Sequence, residues 1–293
     1  MSDANHAGRS AGPPPIVLTN ELPQRAKPSN MSEAAQLFAD GKAYERVMGR
    51  WSRLAGDLFL DWLEAPKGLR WLDVGCGNGA FTEAVIARCA PAAVTAIDPS
   101  EGQLAYARTR PGARMAQFRV GDAQALPFAE ASFDIAAMAL VIIFVPDPAK
   151  AVAEMVRVVR PGGWVATYMW DIENGGLPLR PIYVAMKSLG LTVPSQPSVA
   201  ASQREELQAL WQGAGLEAVA TQVIRITVSF SDFDDFWQSN NVAVGTTGNA
   251  INKLSPAERE KLRSRLREQL PAGPDGRIAY PAFANAVKGR TPQ

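Results

Sequence analysis

Three aspartates, each set among glycines or turn-forming neighbours, are the first candidates for chemistry in this chain. Asp73 opens the run Asp73-Val74-Gly75-Cys76-Gly77-Asn78-Gly79, Asp98 precedes Pro99-Ser100, and Asp122 stands in Gly121-Asp122-Ala123 ahead of Leu126-Pro127-Phe128. Glycines at alternate positions let the backbone turn sharply and approach a ligand more closely than a side chain would permit. A helix beginning just beyond such a turn directs its N-terminal N–H groups at the same point. Gly75, Gly77 and Ala80 also satisfy the looser dinucleotide spacing G-x-G-x-x-G/A, so this turn alone does not choose among nucleotide cofactors. An acid at the tip of the next strand, where Asp98 falls, can accept hydrogen bonds from both ribose hydroxyls. Its alternative use is to cap the following helix, a task open to Ser100 as well. Asp122 could accept from the exocyclic amine of an adenine; taken by itself, a turn former is the simpler reading.

These residues need a scaffold, and the pattern supplies strands alternating with helices. Apolar runs predict strands at 69–74, 93–97, 115–120, 133–140 and 164–170, with helices over about 80–88 and 101–109. The 133–140 run is almost wholly apolar, as expected of a strand buried on both faces. Asp147 and Pro148 suit the cap and first position of a helix carrying Val152, Met155, Val156 and Val159 on one face, stopped by Pro161-Gly162-Gly163. Ser202-Gln203-Arg204-Glu205 and Ser255-Pro256-Ala257-Glu258 read as capping boxes. The second opens a helix with Leu262, Leu266 and Leu270 one turn apart, its charges forming a solvated face. A β-rich run at 217–230 and a last strand at 278–287 close the chain. Five alternating strands predict a doubly wound, mostly parallel sheet covered on both faces, and ligands of such sheets bind beyond the carboxyl ends of the strands.

Ahead of that alternation, residues 1–31 are rich in Pro, Gly, Ser and Asn and are expected to be a disordered tail. From Ser32 the pattern turns helical, with Tyr44, Trp51, Leu54, Leu58 and Phe59 among its apolar positions. Gly41, Gly49 and Gly56 predict two or three short helices there rather than one rod.

Composition narrows the classes. Thirty basic residues against twenty-nine acidic ones leave a formal charge of +1, so no basic excess drives binding to nucleic acid. The chain has one histidine, His6, and two cysteines, Cys76 and Cys89, with no metal-ligand spacing; neither a zinc site nor a disulfide is expected. No internal imidazole is available as a general base. MSDANHAGRS lacks the apolar core of a signal peptide and no run reaches membrane-span length, so a cytoplasmic location is the expectation.

Taken in order, D-V-G-C-G-N-G, A-I-D, G-D-A…L-P-F, F-D and R-P-G-G resemble the class I S-adenosylmethionine-dependent methyltransferases, on the branch that includes ubiquinone and menaquinone biosynthesis enzymes. The likeness is specific over about 40–170 and looser beyond. It implies a seven-stranded Rossmann-like sheet with a late antiparallel strand, built as one domain over 32–293: a cofactor core at about 66–170 with helical cap and acceptor segments at about 32–63, 172–201 and 231–270. It further implies that Asp73 orients the amino-acid end of the cofactor, Gly75 and Gly77 hold the methionine moiety, and Asp98 holds the ribose with Pro99 or Ser100 beside the adenine. By the same likeness Asp122 and Ala123 read the adenine edge and the Leu140 carbonyl meets the cofactor's amino group. Tyr44 and Arg53 would close over the carboxylate; core packing and a surface ion pair explain those two equally well. Relatives often carry a histidine after the fourth strand, where this chain has Ile142-Ile143-Phe144-Val145.

A sulfonium methyl is already electrophilic, so alignment of the nucleophile is the main demand on the protein. A base is needed only if the nucleophile arrives protonated, and Tyr168, Asp171 and Asp147 are weak candidates for it. Aromatic residues in the cap segments suit a small, partly hydrophobic acceptor, and suit an ordinary core equally. The competing readings are a cofactor-binding module without turnover and, less favoured, an NAD(P)-dependent oxidoreductase.

Overall fold

The computed structural model describes residues 49–241 and 245–293. Tyr44, the 1–31 tail and the helical pattern from 32 to 48 lie outside the described residues.

Seven strands form one sheet in the order β3-β2-β1-β4-β5-β7-β6. The strands are β1 (Arg70–Val74), β2 (Ala93–Asp98), β3 (Ala116–Val120), β4 (Phe133–Ala139), β5 (Val159–Trp170), β6 (Glu217–Phe230) and β7 (Ile278–Arg290). β1 pairs in parallel with β2 on one side and β4 on the other, which makes the β1/β4 boundary the point where strand order reverses. β7 runs antiparallel to both β5 and β6. The centre is apolar for the reason the sequence suggested: Ile135, Ala136, Ala137 and Met138 of β4 are buried, as central strands covered on both faces must be.

Helix α1 (Arg50–Leu63) leads into β1 and α2 (Ala80–Cys89) follows it; α3 (Glu101–Ala107) links β2 to β3, and α4 (Pro148–Val158) links β4 to β5. Between β5 and β6 come α5 (Arg180–Ser188) and α6 (Arg204–Gly213), and before β7 come α7 (Phe233–Asn240), α8 (Gly245–Asn252) and α9 (Pro256–Gln269). Asp147 caps α4, its carboxylate accepting from Lys150 N–H at 3.0 Å with Pro148 in the first turn. Ser255 and Glu258 form the full capping box of α9, whose Leu262 and Leu266 are buried. α1 packs on α2 and across β6 and β7, and Lys288 of β7 donates to the Trp62 carbonyl at 2.8 Å, at the end of α1 where a cation best meets free carbonyls.

Five local expectations need correction. Gly56 does not break α1; a side chain there would come within 3.1 Å of the Tyr168 hydroxyl, so tertiary packing rather than flexibility accounts for the glycine. The buried stripe of α1 is Trp51, Ala55, Phe59 and Leu63, whereas Leu54 and Leu58 are each 44% exposed. Ser202 does not cap α6: its Oγ accepts from Ile172 N–H at 3.3 Å, and Gln203 stands at the cap position without a side-chain bond. Val159 belongs to β5, not to the face of α4, and β7 continues to Arg290, three residues past the expected end. Among the described residues no helix is long and apolar enough to cross a membrane, and no cluster of His, Cys, Asp and Glu could hold a metal ion.

Candidate functional site

A cavity opens beyond the carboxyl ends of β1, β2 and β4, at the strand-order reversal. Its wall takes Gly75, Cys76, Gly77 and Asn78 from the turn after β1, and Asp98, Pro99, Ser100 and Gln103 from the end of β2 and α3. Leu140 and Val141 come from the end of β4, Tyr168 from β5, and Ser52, Arg53 and Gly56 from α1, which closes one side.

The turn after β1 is held from both sides. The N–H groups of Gly75 and Cys76 each donate to the Ile97 carbonyl at 2.8 Å, fastening the turn to β2. Arg110, almost fully buried, donates to the Asn78 carbonyl at 2.6 Å and is itself paired with Glu83 of α2 at 2.8 Å. The two glycines serve different ends. Gly75 has φ +75°, and a side chain there would strike Val141 at 2.6 Å, so the fold itself requires it. Gly77 has φ +50°, but a side chain there would enter open space in the cavity, so only its backbone angle demands glycine within the protein.

Asp98 sits at the tip of β2 with each oxygen already accepting one backbone bond, from Gly77 N–H at 2.9 Å and Ser100 N–H at 2.8 Å. Each oxygen keeps a further lone pair, and the pair of them can receive a diol presented from the cavity. Burial pushes its pKa upward while the Ser100 and Gly77 amides pull the other way. Ser100, not Asp98, caps α3, its Oγ accepting from Gln103 N–H at 3.4 Å.

Asp73 precedes the lining residue Gly75 by two positions, is not itself in the cavity wall, and is 1% exposed. Thr82 of α2 donates to its Oδ2 at 2.6 Å, while Oδ1 is buried with no partner. Burial raises its pKa to about 7, with the Thr82 bond opposing and the nearby Asp98 charge adding. A buried carboxylate left with one open oxygen is poorly satisfied as it stands and suits a cationic or hydrogen-donating neighbour. Burial, then Asp73 and Asp98, also push the Cys76 thiol up, which keeps it neutral and unreactive.

Leu140 adopts φ +60°, an unusual conformation for a branched side chain, with its N–H donating to the Tyr168 carbonyl at 2.9 Å. Strain of this kind tends to collect where a fold positions function. Tyr168 is buried against Phe59, ring centres 4.7 Å apart, and its hydroxyl reaches toward Gly56.

Other expected residues are not in the cavity wall. Asp122 accepts from Gln124 N–H at 2.8 Å through its side chain and from Ala125 N–H at 3.1 Å through its carbonyl, the work of a turn former; neither it nor Ala123 lines the cavity. Asp147 is spent on the α4 cap. Asp171 is buried and accepts from Asn174 N–H at 3.0 Å and Asn285 Nδ2 at 2.8 Å, which leaves it a structural bracket away from the cavity lining. Conversely, Ser52, Gly56, Gln103 and Phe144 line the cavity without having been singled out. Ser52 and Gly56 carry a faint signal, two small residues one helical turn apart; Gln103 and Phe144 carry none.

The turn after β1 lies within a stretch that also resembles other proteins. Residues 72–167 match a family described as a methyltransferase domain. A malonyl-[acyl-carrier protein] O-methyltransferase from Methylococcus capsulatus is 38% identical over 135 residues, 45% of this chain and 47% of that protein. A demethylmenaquinone methyltransferase from Renibacterium salmoninarum is 35% identical over 166 residues, 55% of this chain and 66% of that protein. The chain spans about half the length of the first curated relatives it matches. In fold, a SAM-dependent methyltransferase from Thermotoga maritima superimposes with a TM-score of 0.53 at 18% identity, over 89% of this chain and 99% of that one. Sheet order and sequence likeness agree on the fold: residues 72–167 match a methyltransferase domain, and the sheet around them is the seven-stranded, Rossmann-like sheet of class I methyltransferases.

Proposed function

We propose that the protein is an S-adenosylmethionine-dependent methyltransferase acting on a small, partly hydrophobic acceptor. The observation that carries this reading is the shared wall: Asp98 at the tip of β2, the Gly75–Gly77 turn and the α1 face all line one cavity at the strand-order reversal. The residues fit the cofactor on their own geometry, because Asp98 has room for a diol, Gly77 leaves space for a backbone contact, and the buried Oδ1 of Asp73 lacks a partner.

In this reading Asp98 holds the ribose hydroxyls with Pro99 beside the base, and Gly75 and Gly77 hold the methionine portion through their backbone. The Leu140 carbonyl and the Asp73 carboxylate serve the amino group, and Arg53 serves the carboxylate. Asp122 and Ala123 stay proposed contacts at the adenine edge, reached only if that edge projects beyond the cavity lining. Tyr44 is proposed as a second closing residue. The core over about 66–170 would then work with cap segments at about 32–63, 172–201 and 231–270 as one domain. S-adenosylmethionine, when bound, supplies an electrophilic methyl on a sulfonium. The protein's own part is to hold the donor, exclude water with Phe81, Phe144 and Tyr168, and align the nucleophile, which is where positioned reactions gain most of their rate. Of the three base candidates only Tyr168 lines the cavity among the described residues, which supports it as the proton acceptor in this reading. The two named relatives act on different acceptors by their names, so the acceptor follows from neither.

Calorimetric titration tests the reading. S-adenosylhomocysteine is expected to bind and NADH not to; binding of NADH alone overturns it. Labelled methyl donor incubated with fractionated metabolites then separates transfer from a binding module, which would retain cofactor and label nothing.

A further inference from the structure

Arg110, between α3 and β3, is 8% exposed and does not line the cavity, yet a chain of hydrogen bonds runs from it to Asp98. Its Nε donates to the Asn78 carbonyl at 2.6 Å. That carbonyl shares a peptide unit with the Gly79 N–H, which donates to the Cys76 carbonyl at 2.9 Å. The Cys76 carbonyl in turn shares a peptide unit with the Gly77 N–H, which donates to Asp98 Oδ2 at 2.9 Å. A peptide unit is planar, so fixing the direction of its carbonyl fixes that of its N–H. Three bonds thus join a buried cation to the carboxylate at the tip of β2, with a charge at each end polarising the bonds between. The cation is anchored in its turn: Nη1 donates to Glu83 Oε2 at 2.8 Å, and the Gly112 N–H donates to Glu83 Oε1 at 3.1 Å. A side chain at Gly112 would strike Glu83, so the glycine keeps that acid in place.

We propose that Arg110 is a positioning residue for cofactor binding, which aims the Asp98 carboxylate at the ribose through the Asn78–Gly79 and Cys76–Gly77 peptides. This rests on the proposed cofactor reading. Gly77 and Gly79, at φ +50° and +78°, leave these peptides free to rotate, so a brace from outside the turn decides where the Gly77 N–H points. Asp98 Oδ1 is tied to Ser100 N–H two residues on, whereas the direction of Oδ2 depends on the turn. An arginine suits the task, because Nε and Nη1 donate in two fixed directions and one side chain serves both the Asn78 carbonyl and Glu83. A lysine offers a single ammonium in their place.

A double-mutant cycle read by calorimetry tests this. In Arg110→Lys, affinity for S-adenosylhomocysteine is expected to fall about fivefold, and affinity for 5′-methylthioadenosine, which shares the ribose, by the same factor. In an Asp98→Ala background the same substitution is expected to change neither affinity, because the group it positions is gone. Equal losses with and without Asp98 would make Arg110 a general brace of the fold and overturn the proposal, as would a loss confined to S-adenosylhomocysteine. Should Arg110→Lys not fold, Arg110→Gln takes its place with the same expectations; failure of both to fold overturns the proposal. Unchanged affinity in the folded variant overturns it while leaving the cofactor reading intact, and failure of the wild-type protein to bind S-adenosylhomocysteine overturns both.

Discussion

Two strand tips in this protein each carry a buried aspartate, and they are finished differently. At the tip of β5, Asp171 is enclosed by Asn174 and Asn285, and Asn285 also donates to the Ser202 carbonyl, so β5, β7 and the segment before α6 are bonded to one another. At β1, Asp73 has one bond, from Thr82, and an oxygen facing no donor. Both residues are acids near the carboxyl end of a parallel strand, and their types alone do not separate them. Satisfaction does: a closed network belongs to the architecture, whereas an open valence in a buried place marks where a ligand completes the structure.

Asp73→Asn gives the largest expected departure. Because the folded carboxyl titrates near 7 rather than at its ordinary value, the folded state holds a proton that the unfolded state has released between about pH 4 and pH 7. Stability of the free protein should therefore fall as pH rises through that window, by up to about 4 kcal/mol from this group. Asp73→Asn should flatten the slope and stabilise the free protein at pH 8, as read by denaturant midpoints at pH 5 and pH 8. A wild-type midpoint that rises across the window would show that Asp73 is ionised and satisfied after all.

Asp171→Ala reverses the pattern. Removing the shared acceptor strands the Asn174 and Asn285 donors, at about 3 kcal/mol of stability, while affinity for S-adenosylhomocysteine in the folded fraction stays the same. Chemical denaturation paired with calorimetry reads both; a loss of affinity at full stability would move Asp171 into the site. The smallest effect in free energy belongs to Asp98→Ala. Two charge-assisted bonds to a ribose, discounted for water that refills the gap, amount to about a tenfold or greater loss of affinity. The expected Tm change is small, since Gly77 and Ser100 N–H can turn to solvent in the cavity. An unchanged dissociation constant in the folded variant would remove Asp98 from the site.

Much of this site was legible before any coordinates. The Gly75–Gly77 turn, the Asp98 tip and the Ser100 cap are local events, decided by the backbone freedom of glycine and by side chains bonding to amides two or three residues away. The Asp147 and Ser255 caps were readable for the same reason. Ser202 shows where that reasoning ends. Its spacing to Glu205 is that of a capping box, but its hydroxyl meets the Ile172 amide thirty residues earlier in the chain, and that competing partner is visible only once β5 and the α6 entry are side by side. Leu54 and Leu58 failed in a related way, since their apolar spacing fits one face of a helix while the helix is turned to bury the face carrying Ala55, Gly56 and Phe59.

Sequence by itself determined the alternation of strands and helices, the turn after β1 and the likeness to a methyltransferase domain over 72–167, because each depends on residues close together in the chain or on motifs in fixed order. Only the tertiary structure decided which acids face the cavity, that α1 forms its wall, and that Ser52 and the Asp73 Oδ1 are left without partners. Hydrogen-bond satisfaction and burial are sums over neighbours from distant segments, and those neighbours are assigned when the sheet closes and not before.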